Sequence, residues 1–186
     1  MSKYRTIGED VWKHKMDKVN AELFILSYGA IVAQLCADLE YNYSSINKQL
    51  DKMGYNMGMR LIEEVLAKSE LPRCKDFRDT AEVVAKVGFK MFLNVVPTVA
   101  NWNGEGTQFS LILTENPLND FVELPEDKSI KEFWYSNVLV GVIRGALEMV
   151  QLQVEAEYIS DVLHGSTANE IKVKLIKVLE DEIPPE

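Results

Sequence analysis

Apolar residues recur at helical spacing through the first half of the chain and at strand spacing through much of the second. Over residues 17–39 apolar side chains crowd nearly every side, the pattern of a helix buried between neighbours. Over 45–69, Ile46, Leu50, Met53, Met57, Leu61, Ile62, Val65 and Leu66 return at helical spacing and predict a second helix. Gly54 and Gly58 lie four residues apart within it; each costs about 1 kcal/mol against alanine, so a close backbone approach is expected there. Two readings of that approach stand: a helix-mediated dimer with Gly54 and Gly58 at its interface, or burial within one chain. Leu71-Pro72 ends this helix. Asp76 then reads as an N-cap, with Asp79 three residues on, for a helix running to about Asn94, and Pro97 stops it.

The periodicity then shortens. Residues 98–102 and 107–113 flank Asn103-Gly104-Glu105-Gly106, a hairpin connection, and residues 120–124 read as a further short extended segment. A fourth helix is predicted over 135–150, apolar at Val138, Leu139, Val142, Ile143, Ala146 and Met149. After it Leu152, Val154, Ala156 and Tyr158 alternate with polar residues, as do Ile171, Val173 and Leu175, so both segments read as strands with one wet face. Helices first, then strands with one helix inserted, make the chain α+β: helices packed on one face of an antiparallel sheet. One domain is expected over residues 22–180, preceded by a polar leader over 1–21 and followed by an acidic tail over 181–186.

Charge narrows the function classes. A formal net charge of −9 and a pI near 4.9 exclude a nucleic-acid binder, which needs a basic face for phosphate. Two separate cysteines, Cys36 and Cys74, and two histidines, His14 and His164, supply no metal-ligating cluster. Cys36 lies on the apolar first helix and reads as a core residue. The longest uninterrupted apolar stretch, residues 23–33, is too short for a bilayer, so membrane attachment is expected to be peripheral, through partners or a modification. The sequence carries no P-loop, GxSxG, HExxH or GxGxxG fingerprint, and the protein reads as a non-enzyme.

Cys74 is the position with most chemical interest. It stands between Arg73 and Lys75, just before a helix N-terminus, where cations and the helix dipole favour thiolate. Ala81, Ala85 and Gly88 follow at i, i+4 and i+7 of the expected helix, a strip of little bulk that starts near the cysteine. One reading is a thioester-linked fatty chain running inward along that strip; the other is a surface cysteine followed by small residues that permit tight helix packing.

Several long runs resemble one family. They are Glu22 to Ala30 and on to Cys36, Asn47 to Ser69, Arg73-Cys74-Lys75-Asp76-Phe77 to Phe92, Phe109 to Pro125, and Tyr135 to Val154 with Arg144-Gly145-Ala146-Leu147. Together they are similar to subunit 3 of the transport protein particle (TRAPP), a family of small α+β subunits that dimerise through helices. The resemblance implies palmitate on Cys74 as the one covalent group, with no other cofactor, an interior acyl channel walled by Ala81, Ala85 and Gly88, and Arg73 at its mouth. It implies other small TRAPP subunits as partners, a homodimer when isolated, and a Rab-type GTPase engaged through the assembled complex, with the C-terminal tail a candidate contact. It also implies a cytoplasmic protein, peripheral at the cis-Golgi and endoplasmic reticulum, acting in vesicle tethering and nucleotide exchange. The alternative is a lipid-binding or acyl-carrier protein using Cys74.

Overall fold

The computed structural model describes residues 3–125 and 128–179, so the acidic tail expected over 181–186 lies outside the described residues. Among the described residues six α-helices and four strands follow in the order α1 (Lys3–His14), α2 (Ala21–Asp38), α3 (Tyr43–Ser69), α4 (Phe77–Val83), α5 (Phe89–Leu93), β1 (Thr98–Ala100), β2 (Gln108–Leu113), α6 (Val138–Met149), β3 (Leu152–Ser160) and β4 (Asn169–Val178). The strands form one antiparallel sheet in the order β1-β2-β4-β3, as the α+β reading expects. Register pairs Phe109 with Val173 and Leu111 with Ile171 on one side, and Ala156 with Val173 and Tyr158 with Ile171 on the other. Phe109, Leu111, Ile171 and Val173 are wholly buried beneath the helices, while Lys174 pairs with Glu155 (3.9 Å) and Lys172 with Glu157 among the wetter alternate positions.

The two central helices touch backbone to backbone. A Cβ on Gly54 would fall on the Val138 carbonyl and one on Gly58 on the Val142 carbonyl; reciprocally, Gly141 faces the Asp51 carbonyl and Gly145 that of Tyr55. The expectation that Gly54 and Gly58 face a second molecule is therefore corrected: both are buried against α6 of the same chain. Glycine is needed on both helices because no side chain fits between the axes at that separation. Arg144 of α6 then closes the seam with an ion pair to Asp51 of α3 (2.5 Å).

Other expectations shift. The leader is not outside the domain: Lys3–His14 is a helix whose Gly8 and Val11 are buried, and Tyr4, Ile7 and Val11 pack with Val65, Val87 and Met91. The helix predicted from Asp76 to about Asn94 is interrupted by a π turn, Val84–Gly88, between α4 and α5. Residues 120–124 form no strand; Asn116 caps a 3₁₀ turn, Pro117–Asn119, and Phe121 adopts a left-handed backbone (φ 64°) with no strand to pair against. α2 is not enclosed either. Only Ile25, Tyr28 and Val32 are buried, while Leu23, Leu26, Ile31 and Phe24 are 66, 59, 45 and 44% exposed. Its whole 18-residue length, with mean hydropathy 1.3, is by length and composition apolar enough to cross a membrane, which the shorter uninterrupted stretch concealed.

Substitution separates the two kinds of glycine. Gly145→Ala forces a methyl into the Tyr55 backbone and should destabilise the protein by about 2–3 kcal/mol in urea unfolding. Gly88, with nothing within 4 Å of an added Cβ, should accept alanine neutrally or gain up to about 1 kcal/mol. Equal effects at the two positions would refute the close-packing account.

Candidate functional site

The loop Leu71–Asp76 carries the chemistry that the sequence singles out. Glu70 ends α3 in a left-handed conformation (φ 53°), and the chain then crosses to the start of α4. Asp76 is the N-cap there, as expected, its Oδ1 accepting from the Asp79 N–H at 2.8 Å. Thr80 donates its hydroxyl proton back to the Asp76 carbonyl (3.0 Å). Asp79 in turn bridges: its Oδ2 accepts from the Lys75 N–H at 3.1 Å, and its Oδ1 accepts from the Tyr4 hydroxyl of α1. Arg73, on the other flank, is exposed and donates from Nη2 to Gln151 Oε1 at 3.1 Å, where β3 is about to begin. Cys74 is held between these two attachments and is half-buried.

The expectation of a thiolate is corrected. Burial is the largest influence and pushes the Cys74 thiol up, a hydrogen bond with Thr80 opposes it, and the Asp79 and Asp76 carboxylates push it up further. The side chains that cap α4 place negative charge beside the sulfur. Lys75 and Arg73 are exposed, where water screens their charge. The site thus holds a protonated, partly desolvated thiol at neutral pH rather than an activated nucleophile.

Along the helical segment that follows, the small residues divide. Ala81 and Ala85 are wholly buried and belong to the main core with Phe77, Phe89 and Phe109. Phe77 stands against Phe109 (5.3 Å between ring centroids) and edge-on to Trp102 (6.1 Å). Gly88 ends the π turn and is half-buried, with open space where a Cβ would sit. The structure therefore sets Cys74 and Arg73 in the loop ahead of α4, buries Ala81 and Ala85 in the main core, leaves Gly88 half-buried at the end of the π turn, and places Gly54 and Gly58 in the α3–α6 seam. Cys36, read as a core residue, is only half-buried, at the edge of the core near the end of α2. His164 is occupied in packing: Nδ1 lies 2.6 Å from Asp161 Oδ1, Nε2 3.0 Å from the Ile130 carbonyl, and the ring stands edge-on to Trp134.

Tyr4, Thr80 and Gln151 were not singled out from the sequence, and Asp79 was read only as part of the α4 start, not as a bridge to α1. The helical spacing of Tyr4, Ile7, Gly8 and Val11 is a signal that α1 has an inner face. Nothing local points from Tyr4 to Asp79, 75 residues away.

Comparison with known proteins agrees with this architecture. The family model described as transport protein particle (TRAPP) component matches residues 24–174. Transport protein particle subunit bet3 of Schizosaccharomyces pombe is 59% identical over 185 residues, covering 100% of this chain and 98% of the relative. Trafficking protein particle complex subunit BET3 of Saccharomyces cerevisiae is 53% identical over 180 residues, with 97 and 93% covered. Among solved structures, that of a trafficking protein particle complex subunit 3 from Naegleria fowleri covalently bound to palmitic acid is 50% identical and matches with a TM-score of 0.83, covering 89% of this chain and 100% of that one. With the family matched through both the helical half and the sheet, this chain belongs to the TRAPP component family.

Proposed function

We propose that this chain is a non-catalytic core subunit of the TRAPP complex, corresponding to its subunit 3, with a fatty acyl chain in thioester linkage to Cys74. Its place in a trafficking complex follows from relatives of that name. Tethering of vesicles between the endoplasmic reticulum and cis-Golgi, and nucleotide exchange on a Rab-type GTPase, are activities of the assembly, to which this chain contributes surfaces. The tail over residues 181–186 is a candidate contact with the GTPase.

The observation that carries the acyl reading is the position of Cys74, half-buried beside the first turn of a helix whose Ala81 and Ala85 offer little bulk inside the core. The palmitic acid bound to the Naegleria fowleri protein supports it. In this reading the exposed Arg73 is the mouth of the channel and Ala81, Ala85 and Gly88 are its wall candidates. Burial contributes about 0.8 kcal/mol per methylene, so a palmitoyl-sized chain held inside adds on the order of 10 kcal/mol. A thiol kept protonated accepts an acyl group slowly, and a thiol of raised pKa is a poorer leaving group from the thioester, which suits a structural modification better than turnover.

Assembly is supported by α2. A face presenting Leu23, Phe24, Leu26 and Ile31 to water has the composition of an interface core, and a second helical subunit, identical or related, is the partner it fits. Light scattering should give the isolated 21.2-kDa chain twice that mass, and Leu23→Glu with Leu26→Glu should halve it. A monomeric parent would overturn the helix-mediated dimer.

The acyl reading is tested by intact mass of protein from a eukaryotic host, before and after neutral hydroxylamine. A fatty-acyl increment removed by hydroxylamine and absent in Cys74→Ser supports it; an unmodified parent sinks it. In the unacylated protein, acceptance of an acyl group from palmitoyl-CoA should rise about tenfold per pH unit below the thiol pKa. Asp79→Asn removes a charge that favours S–H, and should move that rise to lower pH.

A further inference from the structure

Within the reading of Cys74 as the acyl acceptor, we propose that α1 is the latch of that site, with Tyr4 the positioning residue that, through Asp79, keeps the cysteine in its half-buried place. The latch has three parts. α1 is seated on the rod that follows the cysteine: Gly8 lies against the Lys86 carbonyl in the π turn, so closely that no Cβ fits between them. Val11, Val65, Val87 and Met91 make a small core of their own around that contact, and Glu9 pairs with Lys90 at 3.0 Å. At the other end of α1, Tyr4 reaches Asp79, whose second oxygen takes the N–H of Lys75, the residue directly after Cys74.

The connection has a mechanical consequence. A loop anchored at one end swings; a loop anchored on both sides of one residue presents that residue in one direction. Arg73 is tied to Gln151 on the sheet side, and Lys75 is tied through Asp79 to α1. Cutting the α1 side frees the stretch that follows Cys74 and lets the sulfur turn to water. An acyl chain joined there would be withdrawn from the core, and its thioester would meet solvent. The hydrogen bond is built to last over a wide pH range. Its acceptor Asp79 is held below the usual carboxylate range, chiefly by Tyr4, and the Tyr4 hydroxyl is pushed up to about 12, chiefly by Asp79.

Unacylated protein, its mass verified, is treated with iodoacetamide at several pH values, and alkylation of Cys74 and Cys36 is followed separately by peptide mass spectrometry. The pH-independent limit of each rate reads access, and the midpoint of the profile reads the thiol, so the two effects separate. Tyr4→Phe should raise the limiting rate at Cys74 about five- to tenfold and leave Cys36, near the end of α2, unchanged. An unchanged Cys74 rate, or a parallel rise at Cys36 that marks general loosening, overturns the latch. Should Tyr4→Phe not fold, Asp79→Ala removes the acceptor for the Lys75 N–H and is judged by the same two rates. Alkylation needs no acyl chain, so a lost acylation reading and a lost latch would show in different experiments.

Discussion

Four glycines set the distance between α3 and α6, and most of the architecture depends on it. Gly54 and Gly58 on one helix and Gly141 and Gly145 on the other allow each backbone to lie in the groove of its neighbour. Such a contact forgoes side-chain burial at its centre and gains dispersion along two whole helices. α6 is thereby clasped on one side by α3 and leans the other way on the sheet through Ile143 and Leu147. With that pair fixed, the C-terminal half of α3 becomes a platform for α1, and the loop after Ser69 has a defined starting point. The Cys74 site is built downstream of the seam.

At the cysteine two local rules compete. A helix N-terminus lowers the pKa of a nearby thiol, and it also requires a side-chain acceptor for its free N–H groups. Asp76 meets the second requirement with a carboxylate, and Asp79 adds another while it bridges to Lys75 and Tyr4. The anions that make the helix start well defined offset the dipole beside the sulfur, and burial decides the outcome. A site made this way favours holding a group over exchanging it.

Exposure of α2 is the complementary feature. The fold has one wall to offer this helix: Tyr28 crosses to donate to the Tyr135 carbonyl at 2.5 Å, and the two rings meet edge to face. Once that face is spent, Leu23, Leu26 and Ile31 have no intramolecular partner surface. An apolar helix bound along one stripe is a stable monomeric arrangement only at the cost of a wet apolar patch, and assembly with another helical subunit relieves it.

Elements whose cause is local were legible from residues alone. Period-two alternation placed β3 and β4, Asn103 to Gly106 placed the first hairpin, and Asp76 with Asp79 announced the start of α4, because each is decided within one or two turns of chain. Cys74 was legible as a candidate from its neighbours, but its protonation was not, since burial and the exposure of Arg73 and Lys75 are properties of the folded surroundings. The periodic apolar pattern of α2 states that a helix has surface to bury and not whether this chain can bury it. Gly54 and Gly58 announce a close approach without naming the partner, which only packing against Gly141 and Gly145 supplied. The π turn over Val84–Gly88 and the reach of Tyr4 to Asp79 arise where α1 docks. The sequence by itself determined the elements, their order and the α+β class, because propensity, capping and periodicity act over a few residues. Tertiary structure alone decided which faces meet and how far the cysteine is buried, because packing brings together groups from 75 or more positions apart.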